Sequence, residues 1–126
     1  YPNVVKATIL LLNRLDIKVE IPSSFTCCGQ PFVNSGKETK LPKRTQKIFE
    51  KYDEIIAIGS SCVSFLKSQN VLKDKLFELS EYLHYKGYRN LAENYPQKIT
   101  FHHSCHSVRH LHNASTSELN IKPFDK

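Results

Sequence analysis

The chain has no methionine and no tryptophan, and only four glycines and six prolines among its 126 residues. So little glycine and proline excludes a collagen-like or low-complexity polymer. With 40% hydrophobic and 24% charged residues, the composition is that of a folded globular protein. Long apolar runs are lacking too: "ATILLLN", residues 7–13, falls well short of the roughly 20 residues that a membrane-crossing helix needs. The opening residues show no secretory-signal pattern. No CxxC pair exists, although paired cysteines of that kind are the usual building blocks of structural zinc sites. The want of even an initiator methionine, with a start on "YPNVV", reads as a piece of a longer protein or as a sequence with residues missing. Each spacing below is then a minimum.

Length allows one domain with a core of moderate size. The net charge is +6, but lysine and arginine are scattered except in "KETKLPKRTQK", residues 37–47, and no basic-aromatic module accompanies them. This stretch predicts a solvated basic loop and helix face, not a nucleic-acid surface.

Apolar periodicity predicts the elements. Val4, Thr8, Leu11, Leu12 and Leu15 share one helical face over 3–15, with Asn3 placed to cap its start. "IKVEI", 17–21, alternates strictly and reads as a strand. Ile48, Phe49 and Tyr52 mark a second helix, and "IIAIG", 55–59, has the continuous apolar character of a buried parallel strand. Ser60 and Ser61 then open a helix with Cys62 in its first turn. Leu72, Leu76, Leu79 and Leu83, spaced 4, 3 and 4, predict one further amphipathic helix, and "KITFHHSCH", 98–106, a strand running into a loop. Helix and strand alternate, which predicts an α/β fold: a mostly parallel sheet flanked by helices.

In such sheets, sites gather at the carboxyl ends of strands. All four cysteines fall there on this reading: Cys27 and Cys28 after the first strand, Cys62 after the second, Cys105 after the third. Adjacent cysteines do not readily bond each other and nothing points to a secreted chain, which argues against two disulfides. Inert buried thiols remain a reading for any one of the four taken alone. A zinc tetrahedron completed by His103 or His106 is chemically sound, but spacings of 1, 34 and 43 do not resemble a zinc knuckle. A Cys105 nucleophile flanked by imidazoles is a third possibility, without an acid or oxyanion motif to support it. Dispersed thiolates suit an iron–sulfur cluster better, since neighbouring cysteines can serve different irons. Gly29 would give the backbone close access to such a group, and the helix start should favour the Cys62 thiolate.

"CCGQPFVNSG", "IAIGSSCVSF", "FELSEYL" and "ITFHHSCHSVRHL", across residues 1–112, resemble successive blocks of the CCG-domain (cysteine-rich) iron–sulfur oxidoreductases. The likeness is strongest to the lactate-utilisation protein A type, with the iron–sulfur subunit of glycolate oxidase and the CCG-bearing subunit of heterodisulfide reductase as related members. The resemblance implies two CCG units: residues 1–97 would be the first, carrying Cys27, Cys28 and Cys62, and 98–126 the start of a second, opened by Cys105. It implies a 4Fe–4S cluster on Cys27, Cys28, Cys62 and Cys105, with zinc as the alternative. Gly29, Gln30, Pro31, Asn34 and Gly36 would shape the surrounding loop, with His103 and His106 behind the ligands. The implied role is electron transfer in L-lactate or glycolate oxidation beside flavin or ferredoxin-like partner subunits, in the cytoplasm and at the inner membrane face only through those partners. Disulfide reduction, or a metal-free assembly role, is the alternative. The chain departs from the family pattern in three places: no cysteine precedes Cys27, Phe65 stands where a cysteine would follow Cys62 by three, and no second CCG follows Cys105.

Overall fold

The computed structural model describes residues 2–24, 27–70, 72, 74–88, 102, 104 and 105. Helix α1 (Pro2–Arg14) follows from its apolar stripe, with Thr8 and Leu12 buried. Thr8 returns its hydroxyl to the Val4 carbonyl at 2.9 Å, which lets a polar side chain sit on the inner face. The helix begins one residue ahead of the expected cap, so Asn3 lies inside it. Asp16 (φ 57°) turns the chain out of the helix, and the Ile17 amide closes on the Leu12 carbonyl at 3.0 Å. The Tyr88 hydroxyl reaches the Leu15 carbonyl at 3.2 Å, tying this end to the residues that follow the last described helix.

Residues 17–22 carry no strand pairing among the described residues, contrary to the strand expected over 17–21. Their alternation is real, but a strand needs a partner ladder as well as a pattern. Val19 and Ile21 are exposed, and the segment is held through Glu20, which accepts the Tyr52 hydroxyl at 2.8 Å.

The short helix α2 (Gln30–Asn34) occupies a stretch that the sequence predicts as loop. Its signal is Pro31, which suits a first helical turn because the absent N–H has no partner there in any case. Helix α3 (Lys43–Phe49) buries Thr45 and Phe49 and stops short of Tyr52. Lys75 sits at its exit, donating from Nζ to the carbonyls of Phe49, Glu50 and Tyr52 at 2.9, 3.2 and 2.8 Å. One ammonium thus gathers three carbonyls at and just beyond the helix end, where positive charge is favoured.

Strand β1 (Ile55–Ala57), helix α4 (Ser60–Ser68) and strand β2 (Leu76–Glu78) form a βαβ unit, with β1 and β2 parallel and Ile55 opposite Leu76. Parallel strands need a crossover, and α4 supplies it. Helix α5 (Leu79–Tyr85) follows β2 directly. The small parallel sheet flanked by helices is the α/β arrangement that the sequence predicts.

The helix expected across Leu72, Leu76, Leu79 and Leu83 is not formed as one piece: Leu76–Glu78 is strand and the helix starts at Leu79. Asn70 and Leu72 take left-handed φ values of 57° and 66°, breaking any helix before β2. Pairing with β1 overrides local helical preference. The α5 start is marked by a capping box, in which Glu78 accepts the Ser80 amide at 2.8 Å and Glu81 accepts the Glu78 amide at 3.1 Å. Glu81 also pairs with Lys67, joining α5 to α4.

The core comprises Cys28, Leu41, Phe49, Val63, Phe65, Leu66 and Leu76, with Ile48, Ile55, Ala57, Cys62 and Leu72 packed against it. Two of the four cysteines therefore belong to the same apolar body as the sheet. Among the described residues, no helix is long and apolar enough to cross a membrane.

Candidate metal centre

The site grows from the turn that begins α4. β1 ends at Ala57, and Gly59 leads into the helix, which places Ser60, Ser61 and Cys62 at the carboxyl edge of the sheet. This is where open α/β sheets gather ligands. Val63, Ser64, Phe65 and Leu66 are all buried, so α4 is fixed on its inner side and the half-buried Cys62 is held with it.

The second contribution comes from 34 residues earlier. Cys28 is buried at 3% exposure, and its Sγ lies 3.2 Å from Cys62 Sγ as a thiol hydrogen bond. Its neighbour Cys27 is exposed. One cysteine is thus turned into the core and its sequence neighbour out of it.

Gly29 follows with φ +99°, a left-handed conformation that favours glycine, and leads into α2. A side chain there would start 3.0 Å from Thr39 Cγ2 and 3.5 Å from Phe65 Cε1. On the side where a Cβ would project, the space beside Gly29 is thus filled by the protein's own packing. Gln30 and Asn34 bond each other at 2.8 Å along α2, and Ser35 returns to the Pro31 carbonyl at 3.0 Å. Gly36 (φ +74°) ends the turn. The loop residues singled out from the sequence therefore build the α2 turn beside the cysteine pair.

The third contribution is more distant in sequence. The hydroxyls of Ser60 and Ser104 lie 2.9 Å apart, bringing the segment with the exposed Cys105 to the α4 start. His102 is exposed; His103 and His106, and most of the strand and loop expected over 98–106, lie outside the described residues.

Electrostatics contradict one expectation. Burial, the hydrogen bond to Cys28, and the nearby charge of Cys28 and Cys27 push the Cys62 thiol up to about 12 from an ordinary 9.0. The helix start does not dominate, because desolvation and neighbouring sulfurs both oppose a thiolate. Among the described residues, no group of three or more histidine, cysteine or acidic side chains is arranged to hold a metal ion. What the structure brings together is a close Cys28–Cys62 pair with Cys27 near enough for its charge to act on it.

Phe65 is 6% exposed and faces Gly29, so the place where the family pattern carries a cysteine is here part of the hydrophobic core.

Comparison with known proteins agrees with these features. The cysteine-rich CCG domain matches residues 1–67, more than half of the chain. "Lactate utilization protein A" of Bacillus pumilus is 36% identical over 86% of this chain and 53% of its own length. The proteins of the same name from Geobacillus thermodenitrificans and Oceanobacillus iheyensis are 33% and 30% identical over similar spans. The chain thus spans about half the length of the curated relatives it matches. No solved structure matches it significantly. With the CCG motif at Cys27–Gly29 inside the matched span of residues 1–67, the chain belongs to the cysteine-rich CCG domain family.

Proposed function

We propose that this chain is the cysteine-bearing part of an iron–sulfur electron-transfer protein that serves the oxidation of a 2-hydroxy acid, L-lactate in the first place. The observation that carries this reading is the meeting of Cys28 and Cys62 at 3.2 Å, across 34 residues, at the carboxyl edge of the sheet. The substrate follows from the relatives, whose name refers to lactate utilisation.

The donor set fits an iron–sulfur group by its chemistry. It consists of soft sulfur donors on separate loops, two of them adjacent in sequence, an arrangement suited to several metal atoms. Cys27, Cys28 and Cys62 would hold the group, with Cys105 as a fourth ligand tethered through Ser104. When bound, the cluster supplies one-electron transfer, and the remaining work falls to the protein. Cys28 and Cys62 deliver donors from a fixed apolar core, which excludes water from one side. Their thiols must lose protons for this, and the high Cys62 pKa makes loading favourable as pH rises. Phe65 closes the inner side, so within residues 1–97 the thiols on offer are those of Cys27, Cys28 and Cys62, and Cys105 comes from the segment that follows.

The test is anaerobic purification or reconstitution of the full-length protein, with assay of iron, acid-labile sulfide and visible absorption. Iron and sulfide in comparable amounts, with a chromophore that Cys28→Ser or Cys62→Ser abolishes, are expected. A colourless protein that holds zinc, or a spectrum indifferent to both substitutions, refutes the assignment.

A further inference from the structure

The basic stretch that the sequence sets aside as a solvated face has more structure than that reading requires. Lys43, Arg44, Lys47 and Lys51, together with Ile48, line an open cavity of about 440 Å³. All four cations are exposed, and none forms an ion pair with a described residue; the ion pairs among the described residues are Lys67–Glu81 and Lys86–Glu54.

The arrangement runs against local physics. Lys43 and Lys47 stand four residues apart on α3, where like charges repel, and Lys51 continues the row in the following turn. Lys43 and Arg44 occupy the first turn of the helix, where negative charge is favoured, and no acid is present there. Of these cations only Lys47, in the last turn of α3, has a place that the helix itself favours, and local rules broken together point to a functional surface.

We propose that the outer face of α3 is a docking surface for an acidic protein partner. Carboxylates four residues apart on a helix, about 6 Å along its axis, match the rise from Lys43 to Lys47 on α3. Ile48 supplies the apolar contact that an interface centre needs. A membrane is a poorer occupant, because the inner side of α3 (Thr45 and Phe49) is already buried in the core and nothing remains to insert. Nucleic acid is poorer as well, because no aromatic among the described residues lines the cavity to stack on a base. This surface stands whether or not the cysteines carry iron, since it rests on different residues.

The experiment compares two triple variants of the full-length protein with equal loss of charge: Lys43→Gln/Lys47→Gln/Lys51→Gln, and Lys6→Gln/Arg14→Gln/Lys18→Gln as control. The probe is poly-L-glutamate, with Kd measured across a salt series. The α3 triple is expected to weaken binding about tenfold or more and to flatten its salt dependence, and the control to change it by less than about twofold. Equal loss in both variants overturns the proposal. So does tighter binding of duplex DNA or phosphatidylserine vesicles through the same three lysines.

Discussion

Replacing Gly29 with alanine tests how the cysteine pair is held. The φ of +99° costs an L-residue about 1–2 kcal/mol in a left-handed conformation. The new Cβ would stand 3.0 Å from Thr39 Cγ2 and 3.4 Å from its Oγ1. Thr39 is stiff at χ1, and pushing it off its rotamer adds about 0.5–1.5 kcal/mol. Against this, alanine restricts the unfolded chain and returns about 0.4–1 kcal/mol. The balance is a loss of about 2 kcal/mol, which for a chain of this length lowers Tm by about 6–10 °C. Urea and thermal unfolding of the metal-free protein measure it. In a Thr39→Ala background the steric part should vanish, leaving a loss nearer about 1 kcal/mol. A Gly29→Ala protein within about 0.5 kcal/mol of the parent refutes the reasoning. Strict additivity of the two substitutions refutes the contact with Thr39 alone.

Leu76, 1% exposed in the core, should cost about 2–5 kcal/mol as Leu76→Ala by urea denaturation, and a loss under about 1 kcal/mol would mean that the sheet is not packed as described. The Lys86 ammonium at 2.6 Å holds Glu54 below its ordinary carboxyl value of 4.5, helped by the Tyr82 hydroxyl and opposed by partial burial. A carboxylate with a lowered folded pKa stabilises above its unfolded value and loses that contribution as pH falls through the folded one. The parent should therefore be more stable than Glu54→Gln near neutrality and lose its advantage below about pH 4.5, as read from urea midpoints across pH. In the metal-free protein, iodoacetamide should modify exposed Cys27 well before Cys62, as mass mapping of the labelled peptides would show; equal rates contradict the Cys62 environment. The raised Cys62 pKa carries the opposite sign: its contribution is whole below 9.0 and is lost as pH rises toward about 12, so the parent should lose more alkaline stability than Cys62→Ser.

The parts of the fold legible in the sequence are those whose pattern and environment agree. The stripe of α1, the apolar run of β1 and the serine-led start of α4 each place one kind of residue on one surface. Cys62 is found at the edge of the sheet for that reason. The failures come where a pattern serves two structures. Leucines at 4-3-4 spacing fit a helix, but Leu76 faces a neighbouring strand, and the Glu78–Glu81 box is the clue to where the helix begins. The alternation at 17–21 predicts faces, but among the described residues no strand pairs with it. At the site itself the sequence identifies the thiols but not their pairing. That Cys28 turns inward against Cys62 while Cys27 faces out depends on the path through Gly29, which long-range packing decides. The role of the basic face on α3 is equally silent in sequence, because a lysine's partner is visible only in three dimensions.

Lys75 does more than terminate a helix. Its carbonyl accepts the Ile55 amide at 2.7 Å while its ammonium grips three carbonyls at and beyond the end of α3, and the next residue is the most buried of β2. A slip of β2 by one residue would turn Leu76 out of the core and move the ammonium off its carbonyls together. Two strands of three residues would otherwise be an ambiguous zipper. Lys75 serves as its alignment pin, and through β1 it sets the height at which Ser60 and Cys62 stand above the sheet.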